Sequence, residues 1–139
     1  MSEMPAVEVD FVVPFSDIDV MEVVWYGNYI RYFEMARCAL MQSIEFDWPQ
    51  MLESGFIWPV VECRLKYVKP LSYGQRIKIR AELSEFEDRL KISYTVRVEG
   101  SGEIMTKGHT VQFAISAETG EAQYTSPQVL LEKLNQSDQ

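Results

Sequence analysis

Residues 26–44, YGNYIRYFEMARCALMQSI, are the stretch that decides the fold class. Apolar side chains recur there every three or four positions, which is the period of an α-helix, while polar side chains form a separate stripe. Tyr32, Met35 and Ala39 widen the apolar face. The pattern predicts a helix of about four or five turns. Because so broad an apolar face is unfavourable in water, we expect the rest of the chain to cover it on more than one side.

Strand-like alternation of apolar and polar side chains flanks this helix in the chain. It occurs at residues 7–15 before the helix and at residues 61–67, 76–83, 90–98 and 104–116 after it. Residues 48–56 favour a short helix or a loop, and Ser126 with Pro127 favours a C-terminal helix that ends near Leu134. The short, turn-rich joins between the later strands predict antiparallel pairing in sequence order.

One long apolar helix followed by antiparallel strands is an α+β arrangement. If the helix is central, the sheet must curl around it. We therefore predict the hotdog fold, in which an antiparallel sheet of about five strands wraps around one long central helix. The chain has 139 residues and 47% hydrophobic content, enough for one core, so we expect residues 1–139 to form one domain.

Composition and charge narrow the class of protein. The formal net charge of -8 argues against nucleic acid as a partner, because phosphate contacts need a basic surface. The sequence lacks the pattern of a signal peptide or of a membrane span, so we expect a cytoplasmic protein with no membrane partner. Cys38 and Cys63 have no metal-binding spacing, and we expect both to be buried free thiols.

Basic side chains concentrate in the later strands. Residues 64–97 hold nine of the thirteen basic residues of the chain and only four acidic ones. Two interpretations are open at this point: a solvated face of the sheet, or a surface that binds a small anionic ligand.

The usual machinery of a serine hydrolase is missing from the sequence. There is no G-x-S-x-G motif, and the single histidine, His109, shares strand parity with Val111, which favours a structural or interface role. Asp17, Asp19 and Glu22 come with neither a histidine nor a recognised metal-binding spacing. We therefore expect neither a metal nor another cofactor.

Two aspartates, Asp17 and Asp19, stand directly before the predicted helix. The first backbone N–H groups of a helix have no intrahelical partner, and the helix dipole makes that end electropositive, so it can hold the oxygen of a polarised carbonyl. If the helix begins near Tyr26, Asp19 lies within reach of such a carbonyl. Its carboxylate could attack a thioester directly or take a proton from water. The alternative is that both aspartates cap a turn.

Two parts of the chain resemble the 4-hydroxybenzoyl-CoA thioesterase-like family of hotdog proteins. The first comprises DID at 17–19, VVWYGNY at 23–29 and FEMAR at 33–37, and the second is PVVECRLKYVKPLSYGQ at 59–75. The resemblance implies an acyl-CoA thioesterase of fatty acid metabolism that hydrolyses an acyl-CoA or acyl carrier protein thioester. It also implies a homodimer or homotetramer, which a free sheet edge and a half-covered helix would favour on physical grounds.

The resemblance implies catalytic roles at the helix start. Asp19 corresponds to the catalytic carboxylate, acting as nucleophile or general base, and the backbone N–H of Tyr26 corresponds to the donor that polarises the thioester carbonyl. Glu22 departs from the family, because many members have a glycine there that lets the loop bend tightly. The glutamate adds a like charge near Asp19, restricts the pocket or alters the activity, and these three consequences stay open. It motivates an alternative function, a non-hydrolytic acyl-thioester binding or accessory protein.

The resemblance also implies how the substrate is held. Pantetheine would run between subunits, and the acyl group would occupy an apolar pocket lined by aromatic side chains. The alternative for each aromatic side chain is that it belongs to the core and does not contact substrate. A hotdog dehydratase is disfavoured. The resemblance to that enzyme class would imply a catalytic histidine paired with a carboxylate, and His109 lies in a predicted strand, which is the wrong kind of segment. The residues implied for substrate binding are Trp25, Tyr29, Glu22 and Trp58, and those implied for the phosphates of CoA are Arg89 and Lys91.

Overall fold

The computed structural model describes residues 4–137, and the first three and last two residues of the predicted domain lie outside this range. The predicted long helix is confirmed as α1, which begins two residues after Tyr26. In chain order the elements are β1 (Ala6–Val12), α1 (Asn28–Ser43), α2 (Trp48–Ser54), β2 (Phe56–Ile57), β3 (Val60–Tyr67), β4 (Arg76–Glu85), β5 (Leu90–Val98), β6 (Ile104–Gln112), β7 (Ile115–Ser116) and α3 (Gln128–Ser137).

Five of these strands form one antiparallel sheet in the order β1-β4-β5-β6-β3, and β2 pairs with β7 separately. The hairpins β4–β5 and β5–β6 follow the predicted sequence order. The predicted pairing of β3 with β4 is wrong, because β3 pairs with β6 and β4 pairs with β1. Strands β1 and β3 are therefore the two edges of the sheet.

The connection between β3 and β4, residues 68–75, explains this difference. Its backbone hydrogen bonds lead to both edges of the sheet. The N–H of Lys69 donates to the carbonyl of Met105 on β6 at 3.0 Å, and the N–H of Gly74 donates to the carbonyl of Val13 beyond β1 at 2.9 Å. The proline and glycine of this segment predicted a turn, but a local turn signal cannot distinguish a hairpin from a crossover to the far edge.

Helix α1 packs closely against one face of the sheet. The ring of Phe33 stacks on Tyr94 of β5, with the ring centroids 4.3 Å apart. Gly108 of β6 makes this approach possible, since a Cβ atom there would lie 2.6 Å from Cε2 of Phe33 and would also collide with the carbonyl of Arg64. The predicted α+β hotdog arrangement, an antiparallel sheet against one long helix, is confirmed.

Edge strand β3 is mostly exposed on both of its faces. Cys63 on this strand is exposed, and so is Cys38 on α1. Both cysteines are free thiols as predicted, but the prediction that they are buried is wrong. Strand parity and helix period indicate which way a side chain points, whereas its burial depends on a neighbouring element that an edge strand lacks. No helix between residues 4 and 137 combines the length and the apolar character that a membrane crossing requires.

Candidate active site

Asp17 ties the segment before α1 to the first turns of that helix. Its side chain is buried, with 3% of the residue surface exposed. One carboxylate oxygen accepts from the guanidinium of Arg31, and the other accepts from the Tyr32 hydroxyl at 2.6 Å. The backbone carbonyl of Asp17 accepts from the N–H of Trp25 at 3.0 Å and from the side-chain amide of Asn28 at 3.1 Å. The whole residue is thus engaged in holding the loop.

The electrostatics of Asp17 agree with this structural role. Burial alone would raise the pKa of its carboxyl, but the hydrogen bonds from Arg31 and Tyr32 and the charge of Arg31 outweigh burial and hold the pKa below its ordinary value. Burial and the same hydrogen bond raise the pKa of Tyr32, so its hydroxyl stays protonated as the donor. Asp17 is therefore ionised and fully paired at neutral pH, which leaves Asp19 as the aspartate available for chemistry.

Asp19 stands at the base of a tight turn formed by residues 19–23. Its N–H donates to the carbonyl of Val23 at 2.9 Å, and its carbonyl accepts from the N–H of Glu22 at 3.0 Å. Oδ1 of the Asp19 carboxylate accepts from the N–H of Met21 at 2.8 Å. Across residues 4–137, Oδ2 accepts no hydrogen bond. The turn therefore orients the carboxylate and keeps one of its oxygens free.

Glu22 has the left-handed backbone conformation that glycine, found at this position in many members of the family it resembles, adopts most easily. Its φ angle is +66°, in the left-handed region where a side chain costs about 1 kcal/mol or more and glycine costs nothing. The Glu22 side chain is exposed to solvent. The chain thus keeps the tight bend without the glycine that would make it easy, because the hydrogen bonds of the turn hold residue 22 in place.

The start of α1 presents two unpaired backbone donors. The N–H of Asn28 donates to the carbonyl of Trp25 at 2.9 Å, and the N–H of Tyr29 donates to the carbonyl of Tyr26 at 3.4 Å. In the part of the chain that the structure describes, the N–H groups of Tyr26 and Gly27 have no acceptor. Since the C=O and N–H of a trans peptide point in opposite directions, these two N–H groups point out of the N-terminal end of the helix.

A pocket of about 250 Å³ adjoins this helix start. It brings together the two residues to which the resemblance gives catalytic roles, Asp19 and Tyr26, and it includes Tyr29, one of those implied for substrate binding. Val23 and Val24 of the same loop add to its wall, and the rest comes from the end of β3 and the segment after it. Sequence reasoning did not assign that last part to the site, although it belongs to the second part of the resemblance. The lining residues are Asp19, Val23, Val24, Tyr26, Tyr29, Tyr67, Val68, Lys69 and Pro70.

Tyrosines organise one side of this pocket. The hydroxyl of Tyr29 accepts from the N–H of Leu71 at 3.1 Å, and the carbonyl of Leu71 accepts from the N–H of Val24 at 2.8 Å. The ring of Tyr67 meets Tyr29 edge-on at 5.0 Å, and its hydroxyl donates to the carbonyl of Tyr26 at 3.0 Å. Burial raises the pKa of both Tyr29 and Tyr67, so both are protonated at neutral pH. These contacts join the loop, the helix start and the end of β3.

Two tryptophans implied for substrate binding lie in different surroundings. Trp25 is half-exposed and covers Gly27, where a Cβ atom would collide with its ring. Trp58 is buried in the core, with its ring edge-on to Phe46 at 5.0 Å. Neither tryptophan is among the residues that line the pocket of Asp19, and Trp58 has the surroundings of an ordinary core residue.

The residues implied for CoA binding lie away from this pocket in the same chain. Arg89 forms two hydrogen bonds with Glu85, at 2.7 and 3.2 Å, and Lys91 Nζ lies 4.0 Å from the same carboxylate. Both residues lie at the start of β5, and Leu90 of that strand is level with the beginning of β3. The pocket lies at the opposite end of β3. The sheet therefore separates Arg89 and Lys91 from Asp19 along the strand direction.

His109 faces the other side of the sheet from α1. Its Nε2 lies 2.8 Å from Oε2 of Glu62 on β3, and it is not among the residues lining the pocket of Asp19. Within residues 4–137, no group of three or more histidine, cysteine, aspartate or glutamate residues is arranged to hold a metal ion. The chemistry available in the pocket is that of a carboxylate beside two backbone donors.

Comparison with known proteins shows the family of the chain. The profile of the Thioesterase-like superfamily matches residues 13–134, which includes the loop of Asp19, all of α1 and the five-stranded sheet except β1. The chain belongs to this superfamily. The predicted family and the predicted class of enzyme, a thioester hydrolase, are thereby confirmed.

Individual relatives are identical to this chain at about a quarter of the aligned residues. The chain is 26% identical over 108 residues to YneP of Bacillus subtilis, described as a candidate acyl-CoA thioesterase, covering 77% of this chain and 78% of YneP. It is 26% identical over 106 residues to the 1,4-dihydroxy-2-naphthoyl-CoA hydrolase of Thermosynechococcus vestitus, covering 75% and 73%. A solved DHNA-CoA thioesterase from Staphylococcus aureus is 25% identical, with a TM-score of 0.75 over 84% of this chain and 78% of that one.

Proposed function

We propose that this member of the superfamily hydrolyses an acyl-CoA thioester, or an acyl carrier protein thioester, to the free acid and the thiol. Asp19 supplies the carboxylate, and the backbone N–H of Tyr26 holds the carbonyl oxygen. The observation that carries the proposal is the shared pocket, in which a carboxylate oxygen adjoins a helix start, and neither that oxygen nor the first two donors has a partner among residues 4–137. Binding the carbonyl oxygen at that electropositive end stabilises the negative charge that develops when the carbonyl is attacked.

Two routes fit the carboxylate of Asp19. As nucleophile, Oδ2 bonds to the carbonyl carbon, the C–S bond breaks to release the thiolate, and water then hydrolyses the mixed anhydride. As general base, the carboxylate takes a proton from a water molecule that attacks the carbonyl carbon, and the same C–S bond breaks. In both routes the Met21 N–H restrains Oδ1, which orients the carboxylate toward the reacting carbon.

The walls of the pocket supply the apolar surface for the acyl group. Tyr29 and Tyr67 offer aromatic rings, and Trp25 adds its half-exposed indole beside the helix start. We do not extend this role to Trp58, because its packing against Phe46 accounts for it as core. Glu22 stands at the exposed tip of the loop and would act on substrate only at the mouth of the pocket.

A homo-oligomer, dimer or tetramer, would complete the CoA site. Edge strand β3 offers unpaired backbone groups and exposed apolar side chains such as Val61, so pairing with β3 of a second copy would cover both. Antiparallel pairing reverses the strand direction, so the end of one sheet that bears Arg89 and Lys91 would approach the pocket end of the other. Light scattering at micromolar concentration should give a multiple of 16.1 kDa, and a monomeric mass would contradict this part of the proposal.

The main test replaces Asp19 by asparagine, which keeps the shape and removes the charge. A panel of short-chain, long-chain and aromatic acyl-CoA substrates is followed with a thiol-detecting reagent. We expect hydrolysis by the wild type and a loss of about 100-fold or more in kcat for Asp19→Asn, the usual contribution of such a group. Asp10→Asn, exposed on β1 at the sheet edge opposite β3, is the control and should keep full activity. Full activity of Asp19→Asn would end the assignment.

A non-hydrolytic acyl-thioester binding protein is the second candidate, and Glu22 is the observation that favours it. A glutamate in the left-handed conformation adds a charge to the loop of the catalytic residue. Glu22→Gly removes the side chain and keeps the backbone bend, and Glu45→Gly does the same at φ +57° in the connection after α1. Tight acyl-CoA binding without thiol release in the wild type, with release gained only in Glu22→Gly, would favour this candidate.

A further inference from the structure

We infer that Tyr67 is a positioning residue for the hydrolysis proposed above, and that its hydroxyl holds the main chain that supplies the oxyanion donors. The inference rests on the proposed function and adds a residue to it. Tyr67 is far from the catalytic loop in sequence, at the end of β3, and neither its spacing nor its residue type indicated a role.

The contact that carries the inference crosses the pocket. The hydroxyl of Tyr67 donates to the backbone carbonyl of Tyr26 at 3.0 Å, and both residues line the pocket of Asp19. The ring of Tyr67 is held edge-on against the buried ring of Tyr29, with an interplanar angle of 81°. Tyr67 is 44% exposed, and this ring contact restrains it on one side, so its hydroxyl connects the end of β3 to the start of α1.

Because a peptide bond is planar, a contact to the Tyr26 carbonyl also sets the direction of the neighbouring N–H donor. The carbonyl of Tyr26 has a long hydrogen bond from the N–H of Tyr29, at 3.4 Å, so the Tyr67 hydroxyl is its shorter partner. Holding a carbonyl fixes the plane of its peptide, and therefore the direction of the Gly27 N–H on the opposite side. It also fixes the position of residue 26, whose own N–H leaves the helix in the same direction.

Polarisation acts in the same sense as position. A hydrogen bond accepted by a carbonyl draws electrons toward its oxygen and makes the N–H of the same peptide a stronger donor. The Gly27 N–H, which has no acceptor within the described residues, would gain this strength directly and would act as a second donor beside the N–H of Tyr26. Such a gain matters most when charge develops on the substrate oxygen, so it should appear in kcat rather than in KM.

The test removes only the hydroxyl. Tyr67→Phe keeps the ring that lines the pocket, and Tyr73→Phe is the matched control, because Tyr73 is exposed, lies outside the pocket wall and packs only its ring against Phe15. For Tyr67→Phe we expect kcat to fall about three- to tenfold, the factor for one neutral hydrogen bond, with KM within about twofold of wild type. Tyr73→Phe should match wild type in both.

The outcomes separate this inference from the function on which it rests. Hydrolysis by the wild type with an unchanged kcat in Tyr67→Phe would overturn the role of Tyr67 and leave the function standing. A rise in KM alone would also overturn it, because the hydroxyl would then contact substrate in the ground state. No hydrolysis by the wild type on any substrate would end both.

A spectroscopic readout tests the hydrogen bond without activity. Losing a donor at the Tyr26 carbonyl should move the amide ¹⁵N resonance of Gly27 upfield in Tyr67→Phe, because that nitrogen belongs to the same peptide. The resonance should stay in place in Tyr73→Phe. An unmoved Gly27 resonance in Tyr67→Phe would show that the contact does not polarise this peptide and would overturn the inference.

Discussion

Replacing each aspartate of the Asp17-Ile18-Asp19 segment by alanine should separate stability from activity. Asp17→Ala leaves the buried Tyr32 hydroxyl without its charged acceptor, at a cost of about 1.5–3 kcal/mol. Arg31 is more than half exposed, so losing its ion pair adds only about 0.5 kcal/mol. The free energy of unfolding should therefore fall by about 2–3.5 kcal/mol, which lowers Tm by about 7–12 °C for a chain of this length.

Asp19→Ala should behave in the opposite way. It removes one exposed hydrogen bond, from the N–H of Met21, and the stability should fall by no more than about 1 kcal/mol. Thioester hydrolysis should nevertheless fall by about 100-fold or more.

The assay combines thermal unfolding, followed by circular dichroism, with thiol release at a temperature where both variants are folded. A Tm for Asp19→Ala as low as that for Asp17→Ala would refute the reasoning, because Asp19 would then also serve the fold. An unchanged Tm for Asp17→Ala would refute it as well.

Three further predictions concern strain, protonation and packing. Glu22→Gly should raise the free energy of unfolding by about 0.5–1 kcal/mol by relieving the left-handed conformation, and urea unfolding with Glu45→Gly as the companion variant would measure it; a loss of stability would contradict it. Because folding lowers the pKa of Asp17, its ionised carboxylate stabilises the folded state fully above the ordinary carboxyl pKa, and this contribution is lost as pH falls through the folded-state pKa. The difference in free energy of unfolding between wild type and Asp17→Asn should therefore close below about pH 4, and a difference that widens in acid would show the opposite shift. Gly108→Ala should lower the free energy of unfolding by about 1–3 kcal/mol, because its Cβ meets Phe33 and the Arg64 carbonyl, and a wild-type denaturation midpoint would disprove that crowding.

The sequence was a good guide wherever side-chain periodicity alone determines an element. The helical period at residues 26–44 predicted α1, and the alternation of the later strands predicted β4 and β5, because both patterns express which face meets the core. The strand period also predicted β3 and β6, although β3 is mostly exposed on both of its faces. Pairing partners were predictable only for strands joined by true hairpins. The connection after β3 crosses to the far edge of the sheet, with backbone hydrogen bonds to Met105 and Val13, and no local pattern encodes that crossing.

The candidate site divides in the same way. Asp19 and the helix start near Tyr26 could be named from the sequence because they are close in the chain. The contribution of Tyr67 and Lys69 depends on the crossover after β3, so it could be found only once the chain was folded. The different surroundings of Asp17 and Asp19 were equally inaccessible, since burial and the partners Arg31 and Tyr32 distinguish two residues that look alike in the sequence.

The turn at residues 19–23 has a base closed by backbone hydrogen bonds and a tip that touches little. Val20 is 99% exposed and Met21 is 75% exposed, while the bonds that set the direction of the Asp19 carboxylate come from main-chain atoms. Side chains at the tip can therefore be exchanged without moving the Asp19 carboxylate. Libraries at positions 20 and 21 that exclude proline at 21, where the N–H to Asp19 is needed, should thus change which thioesters are accepted while sparing the rate of the chemical step.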